Sequence, residues 1–194
     1  MTYRLTLVID SSTPTLFLGL LKDGQYLDAH VEKLDRLQSE WMMPRLLQLL
    51  KRHQFSLQDI DAVIVGDGPG SFTGVRLALT FVKTLALLKP TNVYPIQSLQ
   101  LMSIHPTSAV WLDARGGRMY VGVYQGSIML LDASIHAQAD KSVLEKRFPN
   151  AIWIEGAQAF QSPRLIVSQA QACLEANQPL EDVHKLNPRY LKTL

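Results

Sequence analysis

The chain opens on an unbroken apolar run, Leu5 to Ile9, that stops at Asp10. So short a run without polar alternation predicts a strand buried on both faces. Ser11-Ser-Thr-Pro14 is turn chemistry, and Leu16 to Leu21 predicts a second strand. Lys22-Asp-Gly24 is a hairpin signal, because Asp-Gly suits the positive φ of a tight turn. Gln25 to Val31 then forms a third strand. The period next becomes helical. A helix is expected from Asp35 to His53, with Asp35 and Gln38 as a capping box and Pro44 kinking it or marking its first turn. Ala62 to Val65 predicts a buried strand and Gly74 to Lys89 a helix stopped by Pro90. Val93 to Ile96 is a short strand.

The second half repeats this opening. Ala109 to Leu112 is an apolar strand ending at Asp113, followed by the polar turn Ala114-Arg-Gly-Gly-Arg118. Met119 to Tyr124 and Ile128 to Leu131 predict two further strands around Gln125-Gly-Ser127. Asp10 and Asp113 stand 103 residues apart, as do Gly19 and Gly122. A fixed offset of this kind suggests an internal duplication. Beyond residue 133 the expected elements are a helix at Asp140–Arg147, a strand at Ile152–Ile154, a helix at Val167–Ala176 and an extended tail, Asn187-Pro-Arg-Tyr-Leu-Lys192.

Composition narrows the class. The 194 residues, 47% hydrophobic and 19% charged, suit one large domain or two lobes sharing a cleft. The expected lobes are 1–100 and 101–194, with the tail able to pack back on the first. Net charge is +2 and the basic residues are scattered, so charge gives no support to direct nucleic-acid tracking. The single cysteine, Cys173, allows no internal disulfide and reads as a packed thiol. The N-terminal apolar run lacks signal-peptide form, and no stretch of about 18 apolar residues appears. A cytoplasmic protein without membrane contact is expected.

Candidate chemistry sits at the strand ends. Asp10 and Asp113 could hold Mg²⁺ across a cleft, or each could cap its own turn. The turn Gly66-Asp-Gly-Pro-Gly-Ser-Phe-Thr-Gly-Val-Arg76 joins a strand to a helix. Gly68, Gly70 and Gly74 allow tight backbone there, and Ser71 or Thr73 can cap the helix. This turn could cradle a phosphate or pack closely on a neighbouring strand or loop. It lacks the Gly-Lys-Ser/Thr ending of a P-loop. The five histidines make no i,i+4 pair, so no metal site is expected.

The two long helices carry more apolar surface than one sheet needs. Met42, Met43, Leu46, Leu47, Leu49 and Leu50 share an arc of about 160° on the first, with Trp41 on the opposite side. Leu77, Phe81 and Leu85 belong to an arc of about 200° on the second, with Arg76 on its polar strip. That excess is used either in packing the helices on one another or in an interface.

These motifs resemble the TsaB (YeaZ) family. Val8-Ile-Asp-Ser-Ser-Thr13, Gln38-Ser-Glu40 with Pro44, the glycine turn, Asp113-Ala-Arg115 with Tyr120, and Pro188-Arg-Tyr-Leu-Lys192 carry the resemblance. It implies an α/β actin-like ATPase (ASKHA, ribonuclease H-like) fold of two duplicated lobes, the second reduced. It implies a non-catalytic scaffold in making the threonylcarbamoyl modification of tRNA adenosine beside the anticodon. Expected partners are a TsaD-like subunit and a TsaE-like ATPase, with tRNA met only through the complex and a homodimer as a further form. The expected interface is Trp41, Met42, Leu46, Leu49, Arg76, Leu77, Phe81 and Leu85. Asp10, Ser11, Ser12, Thr13 and Asp113 would be a vestigial nucleotide site, and Gly68, Gly70 and Gly74 a structural turn. Ile154-Glu-Gly-Ala157 keeps one glycine where a second-lobe phosphate loop belongs. No cofactor is therefore expected for this chain alone, with ATP and Mg²⁺ entering in the complex. The alternative is an ATP/Mg²⁺-dependent ATPase or kinase-like transferase using Asp10 and Asp113. Nothing in the sequence supports glycoprotease activity.

Overall fold

The strand Leu5–Asp10 (β1) is buried along its whole length, because helices cover one face of its sheet and the second lobe covers the other. The structure, a computed structural model, describes residues 3–191; Lys192 of the expected tail lies outside them. Thr15–Lys22 (β2) and Gln25–Lys33 (β3) return antiparallel beside β1. Asp23 and Gly24 both have positive φ, as their hairpin turn requires. Ala62–Gly66 (β4) and Asn92–Ile96 (β5) add in parallel, giving the order β3-β2-β1-β4-β5. Gln38–Arg52 (α1) and Phe72–Leu88 (α2) are the crossovers.

The second sheet repeats this topology with Ser108–Arg115 (β6), Arg118–Gln125 (β7), Ile128–Ala137 (β8) and Ile152–Glu155 (β9), in the order β8-β7-β6-β9. It has no counterpart of β5 among the described residues. The short helices Ser98–Leu101 (α3), Lys141–Arg147 (α4) and Gly156–Ala159 (α5) and the longer Pro163–Ala176 (α6) complete the chain.

The apolar positions divide into three clusters. Leu5, Leu7, Ile9, Val63 and Val65 face α1 and α2. Val8, Phe17 and Ile64 face the opposite way and join Val110, Tyr124 and the α6 residues Ile166 and Val167 in a core shared by the two lobes. On the outer face of the second sheet, α4 alone brings Leu144 against Met119 and Val121. Thus a seven-residue helix stands where the first lobe uses helices of 15 and 17 residues.

Several boundaries differ from expectation. Helix α1 begins at Gln38, not Asp35, and its N-cap Leu37 makes no side-chain cap. Asp35 has φ 49°, which excludes it from the first helical turn. Pro44 sits inside α1 and leaves one carbonyl of the preceding turn without its usual donor. Helix α2 begins at Phe72, and Ser71 caps it by accepting from Gly74 N at 3.3 Å. Strand β6 runs past Asp113 to Arg115 through a register shift. Strand β8 is longer than expected, and α6 starts at Pro163.

The fixed offset also needs correcting. Asp10 pairs with Phe17 in the first lobe, whereas Asp113 pairs with Met119 in the second. The second hairpin is one residue shorter, so pairing equates Gly19 with Val121 and not with Gly122.

Candidate functional site

The glycine turn lies against the turn that follows β1. Ser71 N donates to Ser12 O at 2.6 Å. A Cβ on Gly70 would overlap Ser12 O, and one on Gly74 would overlap Ser11 O. The glycines are required because another piece of backbone occupies the space, the second of the two uses this turn could have. All three polar side chains of the first turn are spent locally. Ser11 Oγ donates to Gly74 O at 2.7 Å, Ser12 Oγ to Asp10 Oδ1 at 2.7 Å, and Thr13 Oγ1 to Thr15 O at 3.3 Å. Gln38, at the start of α1, closes the far side by donating to Thr13 O at 2.7 Å.

Asp10 lies beneath this turn. Its Oδ1 accepts from Ser12 N at 2.8 Å and from Ser12 Oγ. Its Oδ2 is buried without a well-formed hydrogen bond, although Ser98 Oγ stands beside it. Burial raises the pKa of the carboxyl, against the lowering effect of Ser98 and Ser12. Gly66 is needed at the end of β4 because a Cβ there would overlap Asp10 Oδ2.

Asp113 is placed differently. It is exposed, caps its own turn by accepting from Arg115 N at 2.8 Å, and lines a cleft of about 680 Å³ between the lobes with Thr13, Arg36, Thr73, Arg115 and Glu155. Asp10 is not on the wall of that cleft. The two aspartates therefore do not form a facing pair, because the β1 turn folds over one and solvent reaches the other. No group of three or more metal-ligating side chains gathers among the described residues. The hydroxyls of Ser11, Ser12 and Thr13 are committed, and of the two candidate Mg²⁺ carboxylates Asp10 is sealed, which leaves only Asp113 of the pair on the cleft wall. These residues do not fit a nucleotide–Mg²⁺ cradle.

The helix faces also sort differently from the arcs on which the expectation rested. Met42, Leu46, Leu49 and Leu85 are buried in the first-lobe core, so they are not surface residues of this chain. The sheet beneath α1 and α2 takes that side of each helix. Trp41 is 39% exposed and lies under the Arg45 guanidinium at 4.5 Å. Arg76 is exposed and Leu77 and Phe81 are half-buried. Phe72 at 58% exposed and Leu87 at 60% are apolar surface side chains not foreseen from the sequence. For Leu87 the signal was available in the helical period, since it falls on the arc opposite Ala78, Val82 and Leu85; Phe72, at the first residue of α2, falls about 80° from Val82 and carries no such signal.

A second feature was not foreseen. Asp67, buried in the glycine turn, is held by Arg189 of the tail, with Nε to Oδ1 at 3.3 Å and an Nη to Oδ2 at 3.2 Å. Burial raises the pKa of Asp67, and the Arg189 charge opposes the rise. The tail continues over α2. Leu186 enters the first-lobe core, and Lys83 Nζ donates to His184 O at 3.3 Å.

The strand order β3-β2-β1-β4-β5 and its shortened repeat define a duplicated α/β protein of the actin-like ATPase, ribonuclease H-like class. Residues 31–177 match the sequence model of a family described as "TsaD: tRNA N6-adenosine threonylcarbamoyltransferase", and the chain belongs to that family, in its TsaB/YeaZ branch. The Bacillus subtilis tRNA threonylcarbamoyladenosine biosynthesis protein TsaB is 32% identical over 68% of this chain and 60% of its own length. The Escherichia coli protein of the same description is 32% identical over 61% of this chain and 54% of its own. The chain thus matches somewhat more than half the length of these relatives. The solved structure of YeaZ from Pseudomonas aeruginosa is similar at TM-score 0.76 and 25% identity, covering 98% of this chain and 100% of that one. No helix among the described residues is long and apolar enough to cross a membrane.

Proposed function

We propose that this chain is a non-catalytic subunit in threonylcarbamoylation of tRNA adenosine, and that it docks a TsaD-like catalytic subunit on the outer faces of α1 and α2. The observation that carries this reading is the apolar and aromatic surface left on those helices, with Trp41, Phe72, Leu77, Phe81 and Leu87 exposed or half-exposed beside Arg76. Surface aromatic, aliphatic and arginine side chains are the composition of protein interfaces, and on α2 they extend over about 180°, from Phe72 and Arg76 round to Leu77 and Phe81. The family membership supports the choice of partner. A TsaE-like ATPase, with its ATP and Mg²⁺, and tRNA are then met through the complex.

The alternative of an ATP/Mg²⁺ enzyme using Asp10 and Asp113 gains nothing from the geometry, because those carboxylates do not face one another across the cleft. Mixing the purified chain with a TsaD-like protein at micromolar concentration tests the proposal. Size-exclusion chromatography with light scattering should show a heteromeric complex. Two separate peaks would refute the reading, and a dimer of this chain that persists with the partner present would favour self-association.

A further inference from the structure

We propose that the segment Asn187–Leu191 belongs to the docking face, with Tyr190 as a contact residue and Arg189 as the residue that positions it. The inference rests on the TsaD-like partner proposed above and assigns that partner's contact to a part of the chain remote from α1 and α2 in sequence.

The tail is fixed where it crosses the glycine turn. Arg189 N donates to Asp67 O at 2.7 Å, and its guanidinium takes both oxygens of the Asp67 carboxylate. The pair is asymmetric in exposure, since the Asp67 side chain is 7% exposed and that of Arg189 40%. A buried carboxylate needs its partner far more than an exposed guanidinium does, so the pair acts as an anchor for the tail. A Cβ on Gly68 would come within 3.3 Å of Arg189 O, and the glycine is what lets the tail backbone approach so closely.

The next residue is presented outward. The Tyr190 ring stacks on that of Phe72 at 5.7 Å with a 24° interplanar angle. Both residues are 58% exposed. Arg76 lies over the Phe72 ring at 4.8 Å. The result is two stacked aromatic rings at the N-terminal end of α2, with Arg76 over one of them and the anchored Arg189 next to the other in sequence. Tyrosine and arginine dominate binding energy where they sit together on a surface. The first turn of α2 holds no acidic residue, and Asp67 is beneath the patch. Because Asp67 neutralises Arg189, Arg76 carries the charge of the patch, and the patch suits an aliphatic side chain of the TsaD-like subunit beside one carboxylate.

Calorimetric titration of the full chain with the TsaD-like protein tests this, at low and at moderate salt. Tyr190→Ala should weaken the complex about tenfold and leave the melting temperature unchanged. Tyr190→Phe should bind like wild type. Arg189→Ala should weaken binding to a similar degree, and Arg189→Lys should recover part of the loss. The double variant Arg189→Ala/Tyr190→Ala should be no weaker than the weaker single variant, because the two residues act through one contact. Wild-type binding with Tyr190→Ala equal to it would overturn this inference and leave the α1/α2 reading standing. Additive losses in the double variant would overturn the positioning role. Failure of wild type to bind would overturn both.

Discussion

Asp67 and Arg189 are 122 positions apart, and their side chains meet through two hydrogen bonds where the tail crosses the glycine turn. The pair ties the end of β4 to the last described segment of the chain, and Leu186 of that segment lies in the first-lobe core. Removing the guanidinium leaves a buried carboxylate without its counter-charge. Arg189→Ala should therefore lose about 2 kcal/mol in urea unfolding at neutral pH. The loss should shrink on acidification. The folded-state pKa of Asp67 is raised above 3.8, so the folded protein favours the protonated group. That preference is fully present below the unfolded pKa and is lost as pH rises through the folded one. Urea midpoints of variant and wild type should converge as pH falls toward 4.

Asp10 carries the same sign for a different reason. Its pKa is raised by burial, and Oδ2 lacks a good hydrogen bond. Asp10→Asn keeps the oxygen that accepts from Ser12 and places an amide beside Ser98. It should stabilise the chain by about 1 kcal/mol at pH 7, with the gain disappearing below the unfolded pKa of the aspartate. Chemical unfolding at pH 7 and pH 3.5 checks this. A large loss at pH 7 would mean that a charged Asp10 is required in the fold.

The glycines divide by what their missing side chains leave room for. Gly74→Ala drives a methyl into Ser11 O and should cost about 3 kcal/mol or prevent folding. Gly116 has φ 61° but nothing within 4 Å of an added Cβ. Gly116→Ala should cost only the backbone term, about 1 kcal/mol. Thermal unfolding separates the two. Similar costs would contradict the account of the glycine turn as a site of backbone packing.

Leucines on opposite sides of α1 and α2 should behave differently. Leu46→Ala and Leu85→Ala open cavities in a closed core and should each cost about 3 kcal/mol. Leu87→Ala removes an exposed side chain and should stay within about 0.5 kcal/mol of wild type. In partner binding the order reverses. Leu87→Glu should weaken the complex while the monomer melts normally. A stable Leu87→Glu variant with wild-type affinity would remove this face from the interface.

Much of the fold was legible in local pattern. The apolar run of β1, the Asp23-Gly24 hairpin and the Pro90 stop each act within a few residues. Helices α3 and α5, four residues each, are too short to show a period. The end of β8 alternates as an exposed edge strand and shows no buried run. The candidate site was legible only in part. The sequence shows how wide the apolar arc of α2 is, but tertiary packing decides that Leu85 is covered and Leu88, on the same arc, is not. Asp10 and Asp113 end similar strand patterns, yet only Asp10 has a serine turn folded over it. The Asp67–Arg189 pair left no local trace, since neither residue differs from any other surface charge until the tail is placed.

Hydrogen exchange of the chain, alone and with a saturating TsaD-like protein, tests the central claim most directly. Slower exchange in Gln38–Arg52 and Phe72–Leu88, with no change along Asp113–Tyr120, is the predicted result. Protection confined to the cleft wall at Thr13 and Asp113–Tyr120, with both helices unchanged, would contradict it.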